Sequence, residues 1–357
     1  MTDPKEVIER LQKSDGDLTV QLGREGDIIA EPTGYVSTRC PVLDFLIGRP
    51  GVPLGGISLW IGAYGSGKST ICLNILAEIQ TRGGLAVVFD TEGRFSFSRA
   101  EKFGIDLDKL IIAQPDTLEE LFKGLKRMIE AIRDGSFDQD VVIVVDGIAG
   151  APLEKEAKGE KTALGAQSLL IRKELRVLTM LVNRQRIGLV ITTQPRQKIN
   201  LGGFTPSRTS WMGEDPLGHA ALTTILLEKK SKIGDDPASP IGHVHLATLI
   251  DTRIAGCTDP ECKTCCRKDF KRTFDFYSAT GPDFYGSALD VLMEAGEITH
   301  TSGWYRFRDP EKKEKGFRRD DFEKVLMDKP EILEALSVIL QGGHPDVPPV
   351  VEEKEDV

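Results

Sequence analysis

The sequence predicts an α/β protein: a mainly parallel, twisted sheet covered by helices, with a smaller α+β unit after it. Three observations carry that reading. Short apolar runs alternate with helix-period stretches between residues 57 and 194, the rhythm of strand–helix–strand units in a parallel sheet. The run VVIVVD (141–146) is apolar at every position but its last, as a strand buried on both faces must be. A glycine-rich stretch, GAYGSGKS (62–69), sits between one such strand and one such helix.

The elements come in order along the chain. Residues 1–14 form a short amphipathic helix, with Val7, Ile8 and Leu11 at helical spacing. A connection bearing Gly and Asp leads into 35–47, and a turn runs through Gly48, Pro50, Gly51 and Pro53. ISLWIG (57–62) is a strand, 68–83 a helix stopped at Gly83–Gly84, and LAVVFD (85–90) the next strand. A helix over 117–134 carries Leu, Met and Ile three and four apart, and precedes the 141–146 strand. A long helix spans 165–187 and a strand 188–194. Residues 195–217 show no periodicity, and an irregular stretch of that length inside a domain marks a functional or disordered loop. Three strand runs come next at 220–228, 243–251 and 272–279, with a Cys-rich insertion at 256–270. From Phe284 short helices flank an aromatic strand, Trp304–Phe307. The tail, 342–357, is Pro-rich and then acidic, a composition that stays disordered. The expected organisation is an N-terminal oligomerisation helix and linker (1–34), a core (35–280), a small C-terminal domain (281–341) and the tail.

Composition narrows the function. The 357 residues hold 46 Lys+Arg against 55 Asp+Glu, a formal net charge of −9. That balance argues against coating nucleic acid by bulk charge, while permitting a local basic groove. No apolar run approaches the length of a membrane span and the N-terminus is charged, so a cytoplasmic protein without membrane partners is expected. Six cysteines are too few for a disulfide framework.

The chemistry concentrates at the ends of the strands. Gly62, Ala63, Tyr64, Gly65, Ser66, Gly67, Lys68 and Ser69 match G-x-x-x-x-G-K-[ST], with Thr70 continuing into the helix. Such a loop turns backbone N–H groups toward phosphates, and the helix N-terminus adds partial positive charge. Lys68 is expected to reach the β/γ-phosphates and the Ser69 hydroxyl to ligate Mg. Asp146 closes the 141–146 strand at the C-terminal edge of the sheet, where ligands bind in such folds, and is the second Mg candidate. Glu92 comes just after the 85–90 strand at the same edge. It is either a surface carboxylate or the base that orients and deprotonates a water for attack on the γ-phosphate.

The order of these pieces resembles the RecA-type homologous recombinases. The resemblance covers nearly the whole chain: VSTRCPVLDFLIG, GAYGSGKST, FDTEG, IIAQPDT, VVIVVDGIAG, TTQPRQKI and the C-terminal FYGSALDVL…GWYRF. The divergence between these islands fits a remote or phage-encoded member. The resemblance implies a RecA-like P-loop ATPase core with an N-terminal helical arm and a small DNA-binding C-terminal domain. It also implies ATP and Mg as cofactors, and a filament of the protein on single-stranded DNA that exchanges strands with duplex. Glu92 would be the water-activating base and Gln194 the γ-phosphate sensor. Arg196, Lys198 and Ile199 would contact DNA from the irregular loop; Gly165, Arg172 and Arg176 would do so from the helix after Asp146. Single-strand-binding and loader proteins are further implied partners. There are departures. Arg99 stands where the family stacks a tyrosine on the adenine. Asp251 and Arg253 stand where two lysines reach the neighbour's nucleotide, leaving Arg253 as the trans finger. HAALTTILLE (219–228) replaces the family's signature after the DNA loop.

Cys257, Cys262, Cys265 and Cys266 form an insertion with no counterpart in that pattern. Four thiolates in ten residues are a candidate structural Zn site; reduced thiols in a loop and a disulfide are the alternatives. Lys312, Lys313, Lys315, Arg318 and Arg319 form a basic patch beside Trp304 and Tyr305. Two other activities share such a core: a ring-shaped helicase or branch-migration motor, and an ATP-switched single-strand-binding scaffold.

Overall fold

The computed structural model describes residues 32–135, 138–163, 165–197, 209–211, 214–236, 238–254, 270–308 and 316–341. The N-terminal helix expected at 1–14, the cysteine insertion and the tail lie outside them. Among the described residues the central sheet has nine strands. In chain order the elements begin β1 (Gly34–Val36), α1 (Pro41–Ile47), β2 (Val52–Leu54), β3 (Gly56–Gly62), α2 (Lys68–Thr81) and β4 (Leu85–Asp90). Then come α3 (Phe97–Lys102), β5 (Leu110–Ala113), α4 (Leu118–Asp134), β6 (Val141–Asp146), α5 (Glu154–Ala157), α6 (Ala166–Val182) and β7 (Ile187–Thr193). The second half holds β8 (Pro195–Gln197), β9 (Thr209–Trp211), α7 (Glu214–Ala220), β10 (Thr223–Ile233), β11 (Gly242–Thr252), β12 (Phe270–Tyr277) and β13 (Gly281–Pro282). It ends with α8 (Phe284–Glu294), β14 (Ile298–Thr301), β15 (Trp304–Phe307), α9 (Phe322–Asp328) and α10 (Glu331–Leu340).

The sheet order is β13-β12-β11-β10-β3-β7-β6-β4-β5. From β10 to β5 every pairing is parallel, whereas β11, β12 and β13 are added antiparallel. Parallel strands survive only when both faces are covered, and two apolar clusters cover them here. One holds Trp60, Val88, Val144 and Val190 with the apolar side of α2; the other holds Leu59, Phe89, Ile143 and Ile191 with α4 and α6. Neighbouring residues of each strand thus serve opposite cores, as the two-residue period of a strand requires. Lys126 Nζ to Glu174 Oε2 at 2.9 Å ties α4 to α6 across the second face.

The helices start where their chemistry permits. The Thr117 hydroxyl accepts the Glu120 N–H at 3.2 Å and caps α4. The helix expected at 165–187 is shorter: α6 stops at Val182, and Arg184 turns with φ 60° before β7 begins at Ile187. The irregular stretch expected at 195–217 contains a short antiparallel pair, β8 with β9, and then α7. The strand expected from residue 220 starts later, at Thr223, and runs on to Ile233 because β11 pairs along its length. The helices and hairpin after residue 281 pack onto α1: Leu289, Leu292, Tyr305 and Phe322 belong to the same apolar cluster as Leu43 and Leu46.

Helix α1 is buried along its whole length and carries a buried carboxylate. Asp44 accepts hydrogen bonds from Ser37 Oγ (2.5 Å), Thr38 Oγ1 (2.7 Å) and the Thr38 N–H (3.0 Å), fixing the turn that enters the helix. Burial outweighs those bonds and raises its pKa from the ordinary 3.8 to about 6. The folded state therefore holds this proton more tightly than the unfolded chain, and ionising Asp44 costs stability as pH climbs from about 4 to 6. At 1.36 kcal/mol per tenfold step the full effect is about 3 kcal/mol. The stability of Asp44→Asn relative to wild type should accordingly improve by up to that amount between pH 4 and pH 7 in urea titrations. A difference that does not change with pH would contradict the account.

Candidate active site

Four parallel strands finish together. β3 ends at Gly62, β4 at Asp90, β6 at Asp146 and β7 at Thr193, with Asp90 opposite Asp146 and Ile61 opposite Thr193 in the register. The segments leaving these strands therefore converge on one edge of the sheet, beside the N-terminus of α2. A cleft of about 370 Å³ lies there, lined by Lys68, Ser69, Thr70, Asp90, Glu92, Arg94, Arg99, Asp146, Gln194 and Phe276 among others.

The loop from Gly62 to Gly67 is held from behind. Gly67 caps α2 with φ 92°, and a Cβ there would lie 2.8 Å from the Phe276 ring, so conformation and space both require glycine. His245 stacks on Phe276 (4.5 Å between centroids) and places Nδ1 3.0 Å from the Ser66 carbonyl oxygen. A carbonyl can only accept, so the proton sits on Nδ1. Burial pushes the His245 pKa down to about 4, and the ring is neutral at pH 7. Helix geometry leaves the amides of Lys68, Ser69 and Thr70 without an intrahelical acceptor; the first such bond in α2 is Ile71 N–H to Gly67 O.

Lys68 is buried, and Nζ donates to the carbonyls of Gly62 (2.7 Å) and Ala63 (3.1 Å). Burial lowers its pKa, opposed by the charges of Asp146, Cys72 and Glu92. Among the described residues, two buried hydroxyls nearby, on Ser66 and Thr193, have no hydrogen-bond partner. Amides without an intrahelical acceptor, a buried ammonium and these hydroxyls fit a polyphosphate. Ser69 and Asp146 supply hard oxygen donors, with Thr192 Oγ1 donating to Asp146 Oδ1 at 2.7 Å to orient it. Two oxygen donors suit Mg, which takes one or two protein oxygens and draws its remaining ligands from phosphates and water.

Glu92 is half-buried and lines the cleft. Its Oε1 accepts from Gln194 Nε2 at 3.3 Å, and its Oε2 faces Arg94 Nη1 at 3.3 Å. The side chain rests on two glycines: a Cβ on Gly147 would meet Oε1 at 2.7 Å, and one on Gly150 would meet Cγ at 2.8 Å. Sequence reasoning missed Arg94, Gly147 and Gly150. The Glu-Gly-Arg spacing was the available signal for Arg94, but the glycine contacts exist only across β4 and β6. Arg99 donates from Nη2 to Thr70 Oγ1 (2.7 Å) and lies 5.7 Å from the Phe103 ring centroid, placing its guanidinium along the cleft.

The other expected site residues fall elsewhere. Gly165 (φ 82°) caps α6, and Arg172 and Arg176 are exposed along it. Arg196 lies on β8, while Lys198 and Ile199 are outside the described residues. Arg253 is exposed just beyond β11, its N–H bonded to Leu222 O at 2.8 Å, and it does not line this cleft. Cys257, Cys262, Cys265 and Cys266 lie outside the described residues, so the Zn expectation gains no structural description. His243 and His245 sit on β11, where His245 is committed to the loop.

The strand–loop–helix arrangement and the edge carboxylates define a P-loop ATPase. The RecA N-terminal domain family matches residues 5–225. Similar proteins include the protein RecA of Ureaplasma parvum serovar 3, 30% identical over 285 residues (79% of each chain). The protein RecA of Chlorobium limicola is 26% identical over 346 residues, 94% of this chain and 93% of the relative. That of Cytophaga hutchinsonii is 28% identical over 353 residues, 98% and 93% of the two chains. The chain belongs to the RecA family. It is an ATP-dependent DNA recombinase and a DNA-dependent ATPase that uses ATP and Mg. Membership decides among the three activities expected from the sequence, in favour of recombination. No helix of the described residues is long and apolar enough to cross a membrane.

Because Gly147→Ala would push on the Glu92 carboxylate while leaving the loop and α2 untouched, its effect should fall on turnover. A displacement of about an ångström at a reacting group costs up to about a hundredfold. The expected result is at least a tenfold loss of kcat for ATP with nucleotide affinity within about twofold of wild type. Unchanged kcat would show that the glycine does not seat the carboxylate.

Proposed function

We propose that Glu92 is the general base of ATP hydrolysis and that Gln194 reports the γ-phosphate to the loop beyond it. The observation that carries this reading is the 3.3 Å contact between Gln194 Nε2 and Glu92 Oε1, at the edge where the phosphate loop also opens. Lys68 leaves the carbonyls of Gly62 and Ala63 for the β/γ-phosphates, and the α2 amides cradle them. Ser69 and Asp146 would hold Mg, which supplies positive charge against the phosphate oxygens. Glu92 orients a water and takes its proton as the water oxygen bonds to the γ-phosphorus. The bond from phosphorus to the bridging oxygen breaks, and ADP leaves with that electron pair. Arg99 presents its guanidinium plane to the adenine.

Gln194 immediately precedes β8, so a change in its hydrogen bonding is delivered to the first residues of the expected DNA loop, Arg196, Lys198 and Ile199. Arg172 and Arg176, four apart on an exposed face of α6, provide a second phosphate-binding surface. Arg253, away from its own cleft, serves a neighbour's nucleotide in a filament. The reading divides the chain into an oligomerisation arm, a core to about residue 280 and a C-terminal DNA-binding unit. The filament forms on single-stranded DNA in the cytoplasm, where single-strand-binding and loader proteins are its partners.

Strand exchange between circular single strands and linear duplex tests the assignment. Wild type with ATP and Mg should form joint molecules, and Lys68→Ala should form none. Glu92→Gln should pair DNA yet lose ATP turnover by at least a hundredfold. Turnover by Glu92→Gln near the wild-type rate would remove the carboxylate from the chemistry.

A further inference from the structure

The loop after β4 is curled by a single carboxylate. Asp90, buried at the strand end, accepts the Phe95 N–H at 2.9 Å on Oδ2 and the Glu92 N–H at 3.2 Å on Oδ1. Gln114 Nε2 donates to the same Oδ2 at 3.3 Å, tying the turn to the chain beyond β5. Gly93, with φ 64°, lets the backbone reverse inside that turn. The result is that Arg94 comes back over Glu92, two residues earlier, with Nη1 3.3 Å from Oε2. Gln194 engages the other oxygen from the end of β7, and Gly147 supports the same carboxylate from the chain after β6. Glu92 is thus fixed from three elements, and Arg94 is the cationic member of the set. Arg94 also lines the open side of the cleft, between the phosphate loop and the DNA-loop side near Pro195.

We propose that Arg94 is a positioning residue for ATP hydrolysis, holding the Glu92 carboxylate aimed into the cleft. This rests on Glu92 being the base. Arg94 acts through that carboxylate and not on the phosphates, so it contributes to turnover and leaves ATP affinity alone. Arg94 pairs with Oε2 while Gln194 holds Oε1. Removing Arg94 takes away the partner of Oε2, so the carboxylate loses its aim. The Arg94 side chain is 67% exposed against 24% for Glu92, and solvent screening keeps the pair modest.

The test is steady-state ATP hydrolysis on saturating single-stranded DNA for wild type, Arg94→Ala, Arg94→Lys, Glu92→Gln and the Glu92→Gln/Arg94→Ala pair. Arg94→Ala should lower kcat about three- to tenfold and leave KM for ATP within twofold. Arg94→Lys should restore much of the rate, since it keeps the charge. In the Glu92→Gln background, Arg94→Ala should change nothing further, because the carboxylate it acts on is gone. If Glu92→Gln is inactive while Arg94→Ala keeps wild-type kcat, the role given to Arg94 is wrong and the base assignment stands. A rise in KM at constant kcat would make Arg94 a phosphate ligand, and faster hydrolysis without DNA would make it a brake; either overturns the proposal. Wild-type turnover by Glu92→Gln would instead remove the base reading, and the Arg94 role with it.

Discussion

The site depends on the register of four parallel strands. Because β3, β4, β6 and β7 end level with one another, the phosphate loop, Glu92, Asp146 and Gln194 emerge within one cleft. Two apolar clusters impose that register. Val144 and Val190 belong to one face of the sheet and Ile143 and Ile191 to the other. Slipping a strand by one residue would exchange its faces and carry the terminal carboxylate to the wrong side. The geometry of the cleft is therefore set by burial of aliphatic side chains in the two cores.

Close approach governs the rest. Gly67 passes against Phe276, with His245 behind it, while Gly147 and Gly150 leave the volume that Glu92 occupies. The loop is thereby braced from the antiparallel side of the sheet, and Glu92 is seated from its parallel centre. β11 and β12, which supply His245 and Phe276, extend the core sheet toward the C-terminal helices packed on α1. Changes in how those strands pack have a direct path to the phosphate loop. On the opposite side, Gln194 connects Glu92 to β8, which begins at the next residue.

Much of this was legible in the sequence, for identifiable reasons. VVIVVD and LAVVFD are apolar enough to admit only buried strands, and they are β6 and β4. GAYGSGKS needs a strand before it and a helix after it, and β3 and α2 provide them. β5 was not legible: it is four residues long and mostly half-buried, so it lacks a strong pattern. α3 was missed because its six residues, FSRAEK, bury only Ala100. The end of α6 was misplaced because Asn183–Arg186 carries neither Gly nor Pro, and the chain turns at Arg184 instead. Within the site, Lys68, Ser69, Asp146 and Glu92 could be nominated from motif and position, and Gln194 from the family resemblance. His245 and the glycine seat could not, since each acquires its role through a contact between segments distant in the chain; Arg94 had only the Glu-Gly-Arg spacing as a signal, because its placement is set by the loop reversal at Asp90.

The central claim is that ATP chemistry occurs between the phosphate loop and Glu92 at this edge. The most direct measurement is a structure of the filament on single-stranded DNA with a non-hydrolysable ATP analogue and Mg. The account predicts Lys68 Nζ withdrawn from the Gly62 and Ala63 carbonyls onto the phosphates, with Glu92 and Gln194 both facing the γ-phosphate. A γ-phosphate lying beyond reach of Glu92, with Lys68 still bonded to those carbonyls, would contradict it.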